Sequence, residues 1–155
     1  MQKISLLAIG SLKESWIRTG CGFYLSRLQR AFDVSVQELP ASKEKLPEKQ
    51  REEESERVFR VLEQCGGEVW LLDEQGDVLT SQQFSAEISK RKDRGTPLTF
   101  VVGGAYGFTD AVRHRADHML SLSAMTLPHE LCRLLFFEQL YRASEIMKGS
   151  GYHHG

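Results

Sequence analysis

Two residues at the head of an apolar stretch carry the clearest chemical suggestion in the chain. His129 and Arg133 stand four apart, just after Pro128, in LSLSAMTLPHELCRLLFFEQLYRA, residues 121–144. Proline suits the first turn of a helix. A helix starting there puts both side chains on one face near its N-terminus. The positive end of the helix dipole favours the neutral imidazole, fit to accept a proton or a hydrogen bond. Arg133 beside it can take a phosphate or orient a base. His129 reads equally well as a satisfied cap-region residue. Glu138 and Arg142 repeat the i,i+4 spacing in the favourable order and can simply pair. Past the helix, GSGYHHG ends the chain with Tyr152, His153 and His154. Such a tail is either disordered or closes over a site and stacks on a nucleobase.

A ligand needs a cradle, and three segments can build one: Leu71-Leu72-Asp73, Val102 to Gly107, and Leu122 to Leu127. Each lies at the end of an apolar run that reads as a strand, and open α/β sheets bind ligands outside the carboxyl ends of their strands. Gly103 and Gly104 permit close backbone approach to a ligand, or simply make a tight turn. Familiar alternatives fail. GGAYG is not GxGxxG, no GxxxxGK[ST] is present, and no GxSxG elbow exists. His129-Glu130-Leu131-Cys132-Arg133 begins like HExxH but ends in arginine. His114 and His118, with Asp117 nearby, lack an obvious third ligand, so no metal is expected.

The elements that must position these residues follow from hydropathy. KISLLAI (3–9) reads as a buried strand ended by Gly10 and Ser11, and residues 13–32 carry apolar residues at roughly helical spacing. VSVQEL (34–39) is a second strand. The charged run at 43–59 reads as a mobile loop entering a solvated helix with pairs such as Glu53–Arg57. That helix continues through Leu62 and is stopped by Gly66-Gly67. EVWLLDEQG (68–76) is a third strand, and Thr80 or Ser81 can cap a helix with a basic end at 90–95. LTFVVGGAYG (98–107) is a fourth strand running into glycines. A short helix at 109–116 and a fifth strand at 118–123 complete the series. Apolar strands alternating with helices predict an α/β domain, 1–155, with a mainly parallel sheet covered by helices on both faces.

The totals agree with that class and narrow the function only slightly. The chain has 155 residues, 41% apolar and 26% charged, with a formal net charge of −1. That balance argues against gripping nucleic acid by bulk electrostatics, while leaving open a local RNA contact within a larger assembly. No apolar run approaches the roughly 20 residues of a membrane span, and the N-terminus is not a convincing signal peptide. Cys21, Cys65 and Cys132 are odd in number and form no CxxC pair. A reducing, cytoplasmic setting is the plain inference. The helix after Pro128 is apolar over far more than one stripe, from Leu131 to Met147. A second subunit is the simplest second cover, so a homodimer across this helix is expected, with a central core helix of a monomer as the alternative.

Taken together, LLD (71–73), VVGGAYGF (101–108), LSLSAMTLPHELCRLLFFEQLYRA and the terminal GYHHG resemble the ribosomal RNA large subunit methyltransferase H family, small bacterial SPOUT methyltransferases. The resemblance runs the length of the chain. It implies a trefoil knot on the C-terminal side, a rare exception to unthreaded folds. It implies S-adenosylmethionine held at Leu72, Gly103 with Gly104, and Leu122, Ser123, Ala124, Met125, Thr126 and Leu127. It also implies a homodimer acting on 23S rRNA in the assembled 70S ribosome, at N3 of a pseudouridine in helix 69. Methylation there requires loss of the imide proton and stabilisation of the ring charge. The candidates are His129, Arg133, Arg142, Tyr152 and His153. Two other classes remain: a SPOUT enzyme with another RNA or small-molecule substrate, and a non-catalytic ribosome-binding factor.

Overall fold

The computed structural model describes residues Met1–Gly155. Ten elements alternate along it: β1 (Lys3–Ile9), α1 (Ser15–Leu28), β2 (Asp33–Leu39), α2 (Pro47–Leu62), β3 (Glu68–Val78), α3 (Ser81–Arg94), β4 (Leu98–Val102), α4 (Asp110–Arg115), β5 (His118–Ser121) and α5 (His129–Lys148). The five strands form one sheet in the order β2-β1-β4-β3-β5, and every pairing is parallel. Sheet order runs outward in both directions from the β1–β4 pair. Loops at the carboxyl ends of these strands therefore diverge, which leaves room for a ligand.

The continuous apolar strands are explained by cover on both sides. Ile4, Leu6, Ala8, Trp70, Leu72, Phe100 and Val102 face α1, α3 and α5, with Phe136, Phe137 and Leu140 of α5 at the centre. Their neighbours Leu7, Ile9, Val69, Leu71 and Val101 turn to the other face, against Val58 and Leu62 of α2 and Val112 of α4. Thr80 closes a capping box with Gln83 at the head of α3, and Gly95 ends that helix in the left-handed conformation at φ 67°, where a side chain would be strained.

The broad apolar girth of α5 has an explanation inside one chain. It lies on the sheet between α1 and α3. Gly20 of α1 lets the two helices close up, since a Cβ there would meet the Leu134 side chain at 2.9 Å. The charged run at 43–59 departs from the sequence expectation. The Glu53–Arg57 pair forms, yet Glu54 and Ser55 are buried at 6% and 3% exposure. The helix turns them inward because they continue, one turn earlier, the stripe of Val58 and Leu62.

Candidate functional site

The carboxyl end of β3 is interrupted where it meets β5. Leu72 and Asp77 both register with Leu120, so the four residues between them bulge out of the ladder. Gly76 makes the return possible: a Cβ there would lie 2.5 Å from the Met119 carbonyl carbon, inside the β5 backbone. The bulge lifts Asp73 and Glu74 above the sheet. Asp73 pairs with Arg113 of α4 at 2.9 Å, and Glu74 accepts the Thr126 hydroxyl at 2.7 Å.

The hydroxyls that precede α5 brace their own loop. Ser121 Oγ donates to the Ser123 carbonyl at 2.7 Å, and Ser123 Oγ accepts the Met125 N–H at 2.9 Å. With Thr126 held by Glu74, all three hydroxyls are engaged in shaping the loop. A ligand is thus left chiefly the backbone groups and the apolar side chains. The glycine loop after β4 is fixed by α2 and α4: the Thr109 N–H donates to Ser55 Oγ at 3.0 Å, and Phe108 closes on Gly103, where a Cβ would meet its ring at 2.9 Å.

These three loops enclose a cleft of about 370 Å³, within the size of small-molecule sites. Leu72, Gly103, Gly104, Leu122, Ser123, Met125, Thr126 and Leu127 all line it, joined by His129 at the start of α5. Ala124 is exposed and does not line it. The walls suit an aromatic heterocycle between leucines, with backbone amides at its edge. The rim is polar and balanced in charge: Asp73 is paired with Arg113, and Glu74, held by Thr126, stands with Arg51. Cys132 also reaches the cleft, and burial pushes its thiol up. It stays a protonated thiol at neutral pH, not a nucleophile.

The other sequence candidates fall into two further places. Arg133 is 2% exposed, and its guanidinium donates to the Gly10 carbonyl at the end of β1 and to Glu38 of β2. It ties α5 to the sheet. Arg142, Tyr152 and His153 gather with Glu138 beside the C-terminal half of α5. Arg142 pairs with Glu138 at 2.8 Å, meets His153 Nδ1 at 3.1 Å and lies 4.8 Å from the Tyr152 ring centre. Glu138 holds the Arg142 guanidinium firmly in its charged form. Desolvation, with Glu138 next, pushes the Tyr152 phenol up, so it is a hydrogen-bond donor at neutral pH. None of the three lines the cleft; Arg142 lies about 20 Å from His129 along the helix at 1.5 Å per residue.

His118 and Asp117 have local partners. His118 meets Glu68 at 3.0 Å and Arg91 at 3.3 Å, and Asp117 accepts the Val69 N–H at 2.8 Å. No group of three or more His, Cys, Asp or Glu side chains is placed to hold a metal ion. No helix is long and apolar enough to cross a membrane, and all three cysteines are free thiols. Sequence reasoning missed Glu54, Ser55, Glu74 and Arg113. Counting back four from Val58 reaches Glu54 and was the available signal; the β3 bulge that lifts Glu74 toward Thr126 had none.

Comparison with known proteins agrees with this geometry. A family model described as "Predicted SPOUT methyltransferase" matches residues 2–153. The chain is 41% identical over 153 residues to a ribosomal RNA large subunit methyltransferase H of Geobacter sp. (strain M21), covering 98% of this chain and 99% of that one. It is 40% identical over 156 residues to the protein of the same name from Oleidesulfovibrio alaskensis, covering 99% and 100%. Among solved structures, a probable methylase family protein from Haemophilus influenzae Rd KW20 superposes with a TM-score of 0.57 at 11% identity, covering 99% of this chain and 71% of that chain.

Proposed function

The chain belongs to the SPOUT methyltransferase family, and from that premise we propose that it methylates large-subunit ribosomal RNA, at N3 of a pseudouridine in helix 69, using S-adenosylmethionine. The observation that carries the reading is the cleft: eight of the nine positions expected to hold the cofactor line one cavity at the strand ends. The donor set fits the group. Leu72, Leu122 and Leu127 would flank the adenine, backbone groups of the 122–127 loop would read its edge, and Glu74, which has no basic partner, would face the positive charge. When bound, S-adenosylmethionine supplies an electrophilic methyl on a sulfonium. The same reading includes a trefoil knot in the C-terminal half, with the chain threaded beneath the loops that form the cleft.

A homodimer belongs to this proposal for a geometric reason. Within one chain, Arg142, Tyr152 and His153 lie too far from the cleft to touch a base positioned there. A second copy packed along α5 would bring its own trio to the first copy's cleft. Trp16 and Phe23, at 59% and 50% exposure on α1, offer apolar area beside α5 for such packing. In the completed site Arg142, kept charged, would stabilise negative charge on the ring, and Tyr152 would stack on or donate to the base. His129 lines the cleft, and His153 of the partner subunit would be the second imidazole brought to the ligands. Near-neutral overall charge fits a dimer that docks on a ribosomal surface better than one that grips RNA along a basic stripe. A ribosomal substrate implies a cytoplasmic protein.

The test is methyl transfer from labelled S-adenosylmethionine to ribosomes lacking the modification, comparing 70S particles with free 50S subunits. Label at a single helix 69 pseudouridine, on 70S particles, is the expected result. Cofactor binding without label on either particle would overturn the ribosomal assignment.

A further inference from the structure

A second cavity, about 460 Å³, opens at the carboxyl ends of β1 and β2. It meets the cofactor cleft along Gly104, Ala105 and His129, which line both. Its wall holds the buried Glu54 of α2. One carboxylate oxygen, Oε2, accepts the Ser42 N–H at 2.9 Å. The other, Oε1, has no hydrogen-bond partner in the protein and turns toward the glycine loop, where a Cβ on Gly104 would sit 2.3 Å from it. Arg57, one turn further along α2, is occupied by Glu53 and the Pro40 carbonyl. Glu54 is therefore a largely buried carboxylate without a cation, with one oxygen held by Ser42 and the other open to the cavity, free to accept a hydrogen bond from a ligand.

We infer that this second cavity receives the target base and that Glu54 Oε1 accepts its imide N–H. The inference rests on the ribosomal RNA reading above. A uracil-type ring offers one N–H between two carbonyls, which an acceptor-only carboxylate complements. The position fits transfer, because the two cavities join where a donor and an acceptor must come into line. In the step, the N3 proton passes to Glu54 Oε1 and the nitrogen electron pair forms the N–CH₃ bond. The S–CH₃ bond breaks with its pair left on sulfur, giving a neutral thioether and a protonated Glu54 that later releases its proton to water. The other charged or titratable groups around the cavity are Lys13, Glu38 and His129. Gly104 has to be glycine for the carboxylate to approach the junction.

The test compares wild type, Glu54→Gln and Ala41→Phe, the last filling the cavity from a wall that the cofactor cleft does not share. Melting curves and S-adenosylmethionine affinity by calorimetry accompany ribosome methylation between pH 6 and pH 9 (about the range in which solvent can take over). Glu54→Gln should keep cofactor affinity within about twofold and lose about 100-fold or more in turnover, the scale of a general base. Its residual rate should climb with pH as hydroxide replaces the carboxylate. Ala41→Phe should bind cofactor normally and fail on ribosomes. Wild-type turnover in Glu54→Gln would overturn the inference. So would a matching loss of cofactor affinity, which would assign the carboxylate to the cofactor's ammonium instead. If wild type itself labels no ribosome while binding cofactor, the substrate reading falls, and this assignment of the cavity with it.

Discussion

Arg133 is the residue whose replacement best separates an anchor from a catalyst. Its side chain is almost wholly buried, yet the two groups it holds differ. Glu38 keeps 42% of its side chain exposed, so a carboxylate left alone there is rehydrated, and the pair should behave as a partly screened one worth less than about 1 kcal/mol. The Gly10 carbonyl is the larger loss, since a buried acceptor without its donor costs about 1–3 kcal/mol. Against this, Nε of Arg133 has no partner, and removing an unsatisfied donor returns part of the loss. Arg133→Met, which keeps the apolar stem, should therefore destabilise by about 1–2 kcal/mol. Arg133→Ala adds deleted methylenes and a cavity against Cys21 and the β1 end, for about 3–5 kcal/mol in all.

Urea denaturation with linear extrapolation measures both, and a double-mutant cycle with Glu38→Gln measures the coupling. A coupling energy above about 2 kcal/mol, or an Arg133→Ala variant within 0.5 kcal/mol of wild type (about the ordinary surface range), would refute the reasoning. Gly10 and Glu38 also line the second cavity. Arg133→Met should consequently lower methylation more than it lowers cofactor affinity.

Two further outcomes follow from contacts that bind distant segments. Glu130 of α5 accepts the Glu14 and Lys13 N–H groups at 3.1 and 2.8 Å and so caps α1; the Glu14 N–H, then Lys13, His129 and Arg133, hold its carboxyl below the usual value, against a smaller opposing effect of desolvation. A depressed folded value contributes stability above the ordinary pKa of 4.5 that is lost as pH falls through the folded one. Glu130→Gln should cost about 0.5–1 kcal/mol near pH 7 and nothing in strong acid, read from denaturation midpoints across pH; a penalty constant with pH would refute it. Gly76→Ala forces a Cβ into the β5 backbone, and should lower stability by on the order of 3 kcal/mol and weaken cofactor binding by distorting the bulge, both measurable by calorimetry; a fully active, equally stable variant would refute the close approach.

Periodicity and turn chemistry were enough for the sheet, because the physics that selects its strands is local. Strands buried on both faces have to be mostly apolar, and KISLLAI and LTFVV are, with Lys3, Ser5 and Thr99 the exceptions; the glycine and serine stops after them mark the ends at which a ligand can sit. The cleft was legible for the same reason. Its contributors are strand ends, and a parallel sheet puts all strand ends on one edge. What sequence could not show is which polar groups the tertiary structure consumes. Ser121, Ser123 and Thr126 look like ligand hydroxyls and are engaged in bracing their loop. Arg133, adjacent to His129 on a helical wheel, points into the sheet instead of the cleft because the β1 carbonyl needs its donor. Glu54 is the converse. It sits in a run of charges that reads as solvent-facing; its place one turn before Val58 puts it on the buried stripe of α2, and the packing of that stripe against the glycine loop decides that the carboxylate meets a cavity. A charge that folding buries without a counter-charge carries more functional information than one the sequence displays.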